Sequence, residues 1–241
     1  NLEIIEDSAE CMFAKYDGKS VGSLGTIGCF STYVAHYLVT GVGGFATTND
    51  SELAIDLRSL MNHGRDGIYV SASDDEGLTG EKLKEVVSKR FSFIHVGHSF
   101  RCTEMEAAIG VGQIKRHEQI INRRREISNK FYEHLNEFSD FIQLPTCPKN
   151  RTHTFMLYGV LLKKQEKSDL VNYLENLNIE TRDLLPLINQ PIYRKLYGNI
   201  DKEFPVADKI NKSGFYIGCH SYMKEKEVDF VIQAFKNYFN N

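Results

Sequence analysis

Hydrophobic and polar positions change their period several times along the chain, and each change predicts an element. Short apolar runs separated by glycine-rich turns predict strands over Leu2–Ile5, Ile27–Tyr33 and Gly44–Thr47. Apolar residues then recur at helical spacing from Leu53 to Met61, and Gly64 supplies a signal for the end of this helix. The first part of the chain therefore reads as a mixture of strands and helices.

The second part continues this alternation after a helical stretch that leads into a long charged helix. The pattern from Thr103 to Phe138 is helical, and two prolines within residues 144–150 indicate a linker. The elements predicted beyond it are a strand over Phe155–Leu162, a helix over Ser168–Leu177 capped by Ser168, an edge strand over Ile179–Arg182, a strand over Phe215–Cys219 and a helix over Glu225–Phe239. We predict an α/β protein with a large α/β domain over residues 1–144, which includes the long connecting helix, and a small α+β domain over residues 145–241.

Composition narrows the class of protein. The 241 residues are 41% hydrophobic and carry a net charge of −3, which gives no electrostatic reason to expect nucleic acid or an anionic membrane as a partner. The basic cluster Arg123-Arg124-Arg125 lies in a helical pattern, and we interpret it as a solvated helix face. The five cysteines are widely spaced without a CxxC pair, which predicts free thiols, no metal site and a cytoplasmic location. No apolar run is long enough for a membrane span.

Three candidates for a functional site are weak when taken singly. Asp7 follows a strand, where open α/β sheets place ligand-binding groups, but a loop or capping aspartate is an equal alternative. The segment Gly41–Gly44 could let the backbone approach a phosphate, although glycine clusters are more often tight turns. His36 lies in a loop, and a lone histidine is usually structural.

The order and spacing of several motifs are more specific. The motifs are Glu6-Asp7-Ser8-Ala9, Phe30-Ser31-Thr32-Tyr33, Gly41-Val42-Gly43-Gly44, Asn62-His63-Gly64, Gly97-His98-Ser99-Phe100-Arg101, Ala107-Ala108-Ile109-Gly110, Ile179-Glu180-Thr181-Arg182 and Phe204-Pro205-Val206-Ala207. This series resembles the DegT/DnrJ/EryC1/StrS family of fold-type I enzymes, which use pyridoxal 5′-phosphate (PLP) and act on nucleotide-linked keto sugars. The resemblance implies an aspartate aminotransferase-like fold. The resemblance covers nearly the whole chain. The part that corresponds to the leading third of the family's proteins would precede this sequence, so we expect a longer protein.

The resemblance implies roles for individual residues. Asp7 matches the aspartate that pairs with the pyridine nitrogen of PLP, and Ser31 matches the serine that contacts its phosphate. Ser99 and Arg101 match a stretch that approaches the phosphate from the partner subunit, in a homodimer with shared active sites. Ser99 stands where asparagine is usual. Glu10 stands where glutamine or histidine is usual, and no role is assigned to it.

His36 stands where the aminotransferases of this family carry the lysine that binds PLP, and no lysine occurs between Lys19 and Lys82. An imidazole cannot form a Schiff base, which needs a primary amine, but it moves protons near neutral pH. Such a residue suits chemistry on pyridoxamine 5′-phosphate (PMP) held without a covalent bond. The 3-dehydratases of the family, among them that of GDP-colitose biosynthesis, are similar in carrying an Ala-His pair like Ala35-His36. They differ in having a Gly-Glu-Gly-Gly segment where this chain has Val42 in place of the glutamate.

These observations leave three hypotheses. The first is a PMP-dependent lyase that removes the C3 hydroxyl of a nucleotide-linked 4-keto-6-deoxy sugar, with His36 as acid and base and with an amino donor such as glutamate. The second is a sugar-nucleotide aminotransferase that uses external PMP or a supplied amine. The third is a catalytically inactive PLP-fold protein that binds a sugar nucleotide or a protein partner. An iron–sulfur variant of the dehydratase is disfavoured, because the chain has no Cys-x-Cys pair.

Overall fold

The computed structural model describes residues 2–66 and 75–240 of the 241-residue chain. Two compact units are present, Asn1–Arg116 and His117–Asn241. The long helix over His117–Leu135 lies in the second unit. The predicted domain boundary at residue 144 is based on the sequence pattern and stays a prediction. No helix within the described ranges combines the length and the apolarity that a membrane span requires.

The N-terminal unit is built around a small mixed sheet. Its described elements are β1 (Ile5–Asp7), β2 (Lys15–Tyr16), β3 (Lys19–Ser20), β4 (Ile27–Ser31), β5 (Gly44–Thr47), α1 (Ser51–Met61), α2 (Gly80–Lys89) and α3 (Glu104–Ile114). Strand β4 lies in the middle of the order β1-β4-β5, parallel to β1 and antiparallel to β5. The carboxyl ends of β1 and β4 therefore meet at one edge of the sheet, with Asp7 opposite Cys29. This edge positions the candidate site.

Helix α1 confirms the prediction made from its leucine spacing. The Asp50 carboxylate accepts hydrogen bonds from the backbone N–H groups of Glu52 and Leu53, at 2.9 and 3.1 Å. These are two of the donors that the first turn of any helix leaves without an intrahelical partner. The helix ends at Met61, and Gly64 follows with φ +81°, a left-handed conformation that favours glycine.

The C-terminal unit contains an antiparallel sheet packed against helices. Its described elements are α4 (His117–Leu135), β6 (Ile142–Gln143), β7 (Arg151–Thr152), β8 (Leu157–Leu162), α5 (Lys167–Asn176), β9 (Thr181–Asp183), α6 (Pro191–Tyr197), α7 (Pro205–Ser213), β10 (Gly214–Gly218) and α8 (Glu225–Asn240). The sheet order is β6-β8-β10-β9, so β9 is the edge strand that the sequence predicts. Alternate residues of β8 are buried, and they join one core with Phe131, Phe215 and Phe235. Each fully buried phenylalanine contributes about 1.5–3 kcal/mol to folding.

The helical pattern predicted from Thr103 to about Phe138 forms two helices, α3 and the long α4, with a turn between them at Lys115 and Arg116. Two glycines in the second half of α3 weaken that end of the helix. Helix α5 is preceded by Glu166, and Ser168 lies inside its first turn rather than at the cap.

The interpretation of Arg123-Arg124-Arg125 as a solvated helix face is also wrong. Arg124 is only 2% exposed. Its Nη1 donates hydrogen bonds to the backbone carbonyl oxygens of Phe155, Met156 and Cys219, at 3.2, 3.0 and 2.7 Å. Buried carbonyl groups need donors, and a guanidinium supplies several from one side chain. Arg124 is therefore a structural residue of the C-terminal unit.

Candidate active site

Asp7 and Ser31 occupy the carboxyl ends of two adjacent parallel strands, β1 and β4. Ser31 lies two residues beyond Cys29, the partner of Asp7 in the register, which is roughly 7 Å along the strand. The Asp7 side chain is exposed, and its Oδ1 accepts one hydrogen bond, from the N–H of Ala9 at 3.3 Å. Its Oδ2 accepts none from the described residues. The prediction that Asp7 lies at a ligand-binding edge thus has a geometric basis, while its role stays a prediction.

His36 lies in a short loop that starts directly after β4 and is closed at its base. The hydroxyl groups of Thr32 and Thr40 are 2.6 Å apart, and Thr40 N donates to the carbonyl oxygen of Thr32 at 2.9 Å. Both threonines are buried. Tyr37, which is 2% exposed, anchors the far side by donating from its hydroxyl to the backbone carbonyl of Glu10 at 3.1 Å. The loop therefore holds His36 in a defined place.

Within this loop the half-buried imidazole of His36 contacts one of the predicted site residues directly. Its Nδ1 is 3.2 Å from Ser31 Oγ, a hydrogen bond whose donor depends on the tautomer of the ring. The same Oγ accepts a hydrogen bond from Tyr33 N at 3.3 Å. No residue of the described chain hydrogen-bonds to His36 Nε2. The structure thus brings Ser31 and His36 into direct contact.

Sequence reasoning misses the part played by Glu6, the residue before Asp7. Its Oε1 accepts from Leu24 N and Gly25 N, each at 2.6 Å, and its Oε2 accepts from Gly22 N at 2.7 Å. Burial acts to raise the pKa of Glu6, but the three backbone donors outweigh it and hold the pKa below its ordinary value. Glu6 therefore fixes the glycine-rich turn before β4 and, through it, the strand that leads to Ser31.

The motifs around Gly64 and Gly97 come together although they are far apart in sequence. A Cβ built on Gly64 would lie 1.9 Å from the carbonyl oxygen of His95, and one on Gly97 would lie 2.1 Å from Gly64 N. Only glycine fits such an approach of two backbones. An isolated bridge between Asn62 and Ser99 continues the contact. The segment that carries Ser99 is therefore held against the end of α1.

Ser99 and Arg101 are exposed, and no hydrogen bond or ion pair within the described residues joins either of them to Asp7, Ser31 or His36. Ser31 and His36 are thus in contact, Asp7 lies at the end of the adjacent strand, and Ser99 and Arg101 lie on another segment. No group of three or more His, Cys, Asp or Glu residues in the described ranges is arranged to hold a metal ion.

The model of the DegT/DnrJ/EryC1/StrS aminotransferase family matches residues 1–236. The chain therefore belongs to this family, which confirms the resemblance seen in its motifs. The predicted fold is confirmed as well. The S. venezuelae protein DesV, crystallised with a ketimine intermediate, has a TM-score of 0.84 at 22% identity over 100% of this chain and 58% of its own.

Curated relatives include members with different activities. A dTDP-3-amino-3,6-dideoxy-alpha-D-galactopyranose transaminase of Aneurinibacillus thermoaerophilus is 32% identical over 99% of this chain and 58% of its own length. A GDP-4-keto-6-deoxy-D-mannose 3-dehydratase of Escherichia coli O55:H7 is 26% identical over 98% of this chain and 61% of its own length. The chain thus spans about three fifths of the relatives it matches. The family contains both reaction types that the sequence leaves open.

Proposed function

We propose that the protein is a PMP-dependent enzyme that removes the C3 hydroxyl group of a nucleotide-linked 4-keto-6-deoxy sugar, with His36 as the acid and base. The observation that carries the proposal is the environment of His36. The resemblance to the family matches His36 to the position of the lysine. The imidazole is 3.2 Å from Ser31 Oγ, and no lysine occurs in the sequence between Lys19 and Lys82. The match to a GDP-4-keto-6-deoxy-D-mannose 3-dehydratase supports the choice of reaction.

The described residues fit PMP chemically. The exposed Asp7 offers a carboxylate oxygen that is free to accept from a protonated ring nitrogen. Ser31, at the same edge of the sheet, has a hydroxyl that can donate to a phosphate oxygen. Both groups lie at the carboxyl ends of adjacent strands. The Asp7 carboxylate suits the protonated ring nitrogen of the cofactor, and the Ser31 hydroxyl suits its phosphate. We propose that Ser99 and Arg101 complete the phosphate site from a partner subunit.

PMP, when bound, supplies a primary amine for condensation with the sugar ketone and a ring that withdraws electrons. The residues of this chain would bind and orient it and would move protons. His36 Nε2 would take a proton from the carbon that carries the PMP amine, and the electron pair of that C–H bond, shared with the ring, would expel the C3 oxygen. The proton returned by His36 to that oxygen would let it leave as water. Asp7 would place its carboxylate opposite the ring nitrogen. The closed base of the loop, at Thr32 and Thr40, keeps the imidazole in place during both transfers.

A homodimer is part of the proposal, and α3 supports it. Three of its apolar side chains are exposed within this chain: Met105 at 76%, Ile109 at 50% and Val111 at 56%. Apolar surface of this kind on a helix favours contact with further polypeptide. The nucleotide-linked keto sugar and an amino donor such as glutamate are the proposed small-molecule partners.

The test is an assay of the natural full-length protein with PMP and GDP-4-keto-6-deoxymannose, in which mass spectrometry follows the loss of water from the sugar. We expect His36→Asn to abolish dehydration, because asparagine cannot exchange a proton near neutral pH. We expect His36→Lys to lose dehydration and to gain transamination with glutamate. His134→Asn, on an exposed position of α4, is the matched control and should leave turnover unchanged.

Each other outcome favours one of the remaining hypotheses. Amine transfer by the wild-type protein without loss of water would identify an aminotransferase and refute the dehydratase proposal. Tight binding of the sugar nucleotide without any turnover would identify a binding protein. Dehydration that survives His36→Asn would show that another residue is the base.

A further inference from the structure

Ser31 Oγ has two hydrogen-bond partners among the described residues, His36 Nδ1 and Tyr33 N, and their needs for a donor or an acceptor restrict where the serine hydrogen can point. A serine hydroxyl has one hydrogen to donate and two lone pairs that accept. One lone pair is used by Tyr33 N at 3.3 Å, since a backbone N–H can only donate. The contact with His36 Nδ1 at 3.2 Å then has two possible arrangements.

In the first arrangement, Ser31 donates its hydrogen to His36 Nδ1, so a neutral imidazole carries its proton on Nε2. In the second, His36 Nδ1–H donates to the second lone pair of Ser31. The serine hydrogen is then free to point elsewhere, and Nε2 is a bare acceptor. In the first arrangement the basic nitrogen is Nδ1, which Ser31 occupies. Only in the second arrangement is the basic nitrogen Nε2, which no described residue hydrogen-bonds and which can take a proton from another molecule.

A phosphate oxygen next to Ser31 would decide between these arrangements, because it accepts hydrogen bonds and has no hydrogen to donate when ionised. It attracts the serine hydrogen, which leaves Nδ1 without a donor and favours the tautomer with a proton on Nδ1. The proton count of the ring does not change, since one proton leaves Nε2 to the solvent and another joins Nδ1.

We infer that Ser31 is a positioning residue that sets the tautomer of His36, so that occupancy of the phosphate site converts His36 Nε2 into a base. This inference rests on the proposed function for the chemistry that His36 performs, but the proton switch is a property of Ser31 and His36 themselves. It couples binding to activity, because the base forms when a phosphate group is present. The backbone N–H of Tyr33 is part of the switch, since it keeps one lone pair of Ser31 occupied.

The experiment observes the ring directly. The natural full-length protein is labelled with ¹⁵N-histidine, and the His36 nitrogens, assigned by their loss in His36→Asn, are followed by long-range ¹H–¹⁵N correlation at fixed pH. Inorganic phosphate is the probe, and chloride at matched ionic strength is the reference. We expect phosphate to move the protonated nitrogen from Nε2 to Nδ1 in the wild-type protein. Ser31→Ala should abolish this response, and Ser31→Thr, which keeps the hydroxyl, should retain it.

Ser23→Ala is the matched control, because Ser23 is exposed and, among the described residues, its hydroxyl bonds only to the backbone carbonyl of Ser20, at 2.7 Å. It should respond to phosphate as the wild-type protein does. The inference is overturned if the wild-type tautomer does not respond to phosphate, or if it responds equally in Ser31→Ala with native circular dichroism. The proposed function is refuted by a different result. A normal tautomer response in a protein that does not dehydrate keto sugars would refute the reaction and leave the switch standing.

Discussion

Glu6→Gln tests whether one carboxylate organises the strand that leads to the candidate active site. Glutamine keeps one oxygen for the N–H groups of Leu24 and Gly25, but it places an amide NH₂ opposite Gly22 N, where the carboxylate accepts at 2.7 Å. One charge-assisted hydrogen bond is lost, and two donors face each other. Such a bond contributes about 1.5–3 kcal/mol. Because Glu6 is only half-buried, we expect the lower end of that range.

The assay is hydrogen exchange of the peptide that spans residues 20–28, read by mass spectrometry at pH 7. A loss of about 1.5–2 kcal/mol corresponds to roughly 10- to 30-fold faster exchange through local opening. Local exchange is preferable to a melting temperature, since a chain of two compact units need not unfold in one step. Glu3→Gln is the matched control. Glu3 is exposed and accepts a hydrogen bond from the Thr26 hydroxyl, so the change should cost less than about 0.5 kcal/mol.

The pH dependence of this exchange rate is a second test of the hydrogen bonds to Glu6. Because the pKa of Glu6 is lowered in the folded protein, its stabilisation is fully present above the ordinary glutamate pKa of 4.5 and is lost as the pH falls through the folded pKa. The difference between wild type and Glu6→Gln should therefore shrink in acid, after correction for the intrinsic exchange rate. Equal exchange of the two proteins at pH 7, or a difference that persists unchanged at low pH, would refute the role given to Glu6.

Three further predictions concern packing. Arg124→Met leaves buried carbonyl groups without their donor and should destabilise the C-terminal unit by about 3–5 kcal/mol in urea unfolding; an effect below 1 kcal/mol would contradict the contacts. Gly97→Ala should cost at least about 1–3 kcal/mol, whereas Gly112→Ala, with open space at its Cβ, should not destabilise. Burial raises the pKa of Cys219 to about 12, so iodoacetamide at pH 8 should modify exposed Cys147 and spare Cys219 in the native protein.

The sequence predicts the elements whose signals are local. Helix α1 follows from its leucine spacing and from Asp50, because both a helical face and a cap are encoded within a few residues. The edge position of β9 and the closing helix α8 are predicted correctly for the same reason. The resemblance to the family places Asp7, Ser31 and His36 in one site, and the structure brings Ser31 and His36 into contact.

The contacts that could not be predicted from the sequence join residues whose pairing no local pattern marks. The donors to Glu6 lie 16 to 19 residues downstream, so nothing next to Glu6 marks its importance. Arg124 resembles any arginine on a charged helix until the carbonyl groups that it binds, 31 to 95 residues away, are placed around it. The contact between Ser31 and His36 requires the loop to close. The buried hydrogen bond between Thr32 and Thr40 closes it, and nothing in the sequence marks these two threonines as partners.

The crossing of the two glycine motifs also brings the two ends of one stretch of the chain next to each other. Isolated bridges pair Arg65 with Phe93 and Asn62 with Ser99, so the polypeptide leaves and returns at adjoining points. The entropy of closing such an excursion grows slowly, by about 0.6 kcal/mol for each doubling of its length. Insertions or deletions between Arg65 and Phe93 should therefore leave Ser99 in place. An exposed position of α2, which lies in this stretch, is therefore a practical point for attaching a fluorescent reporter.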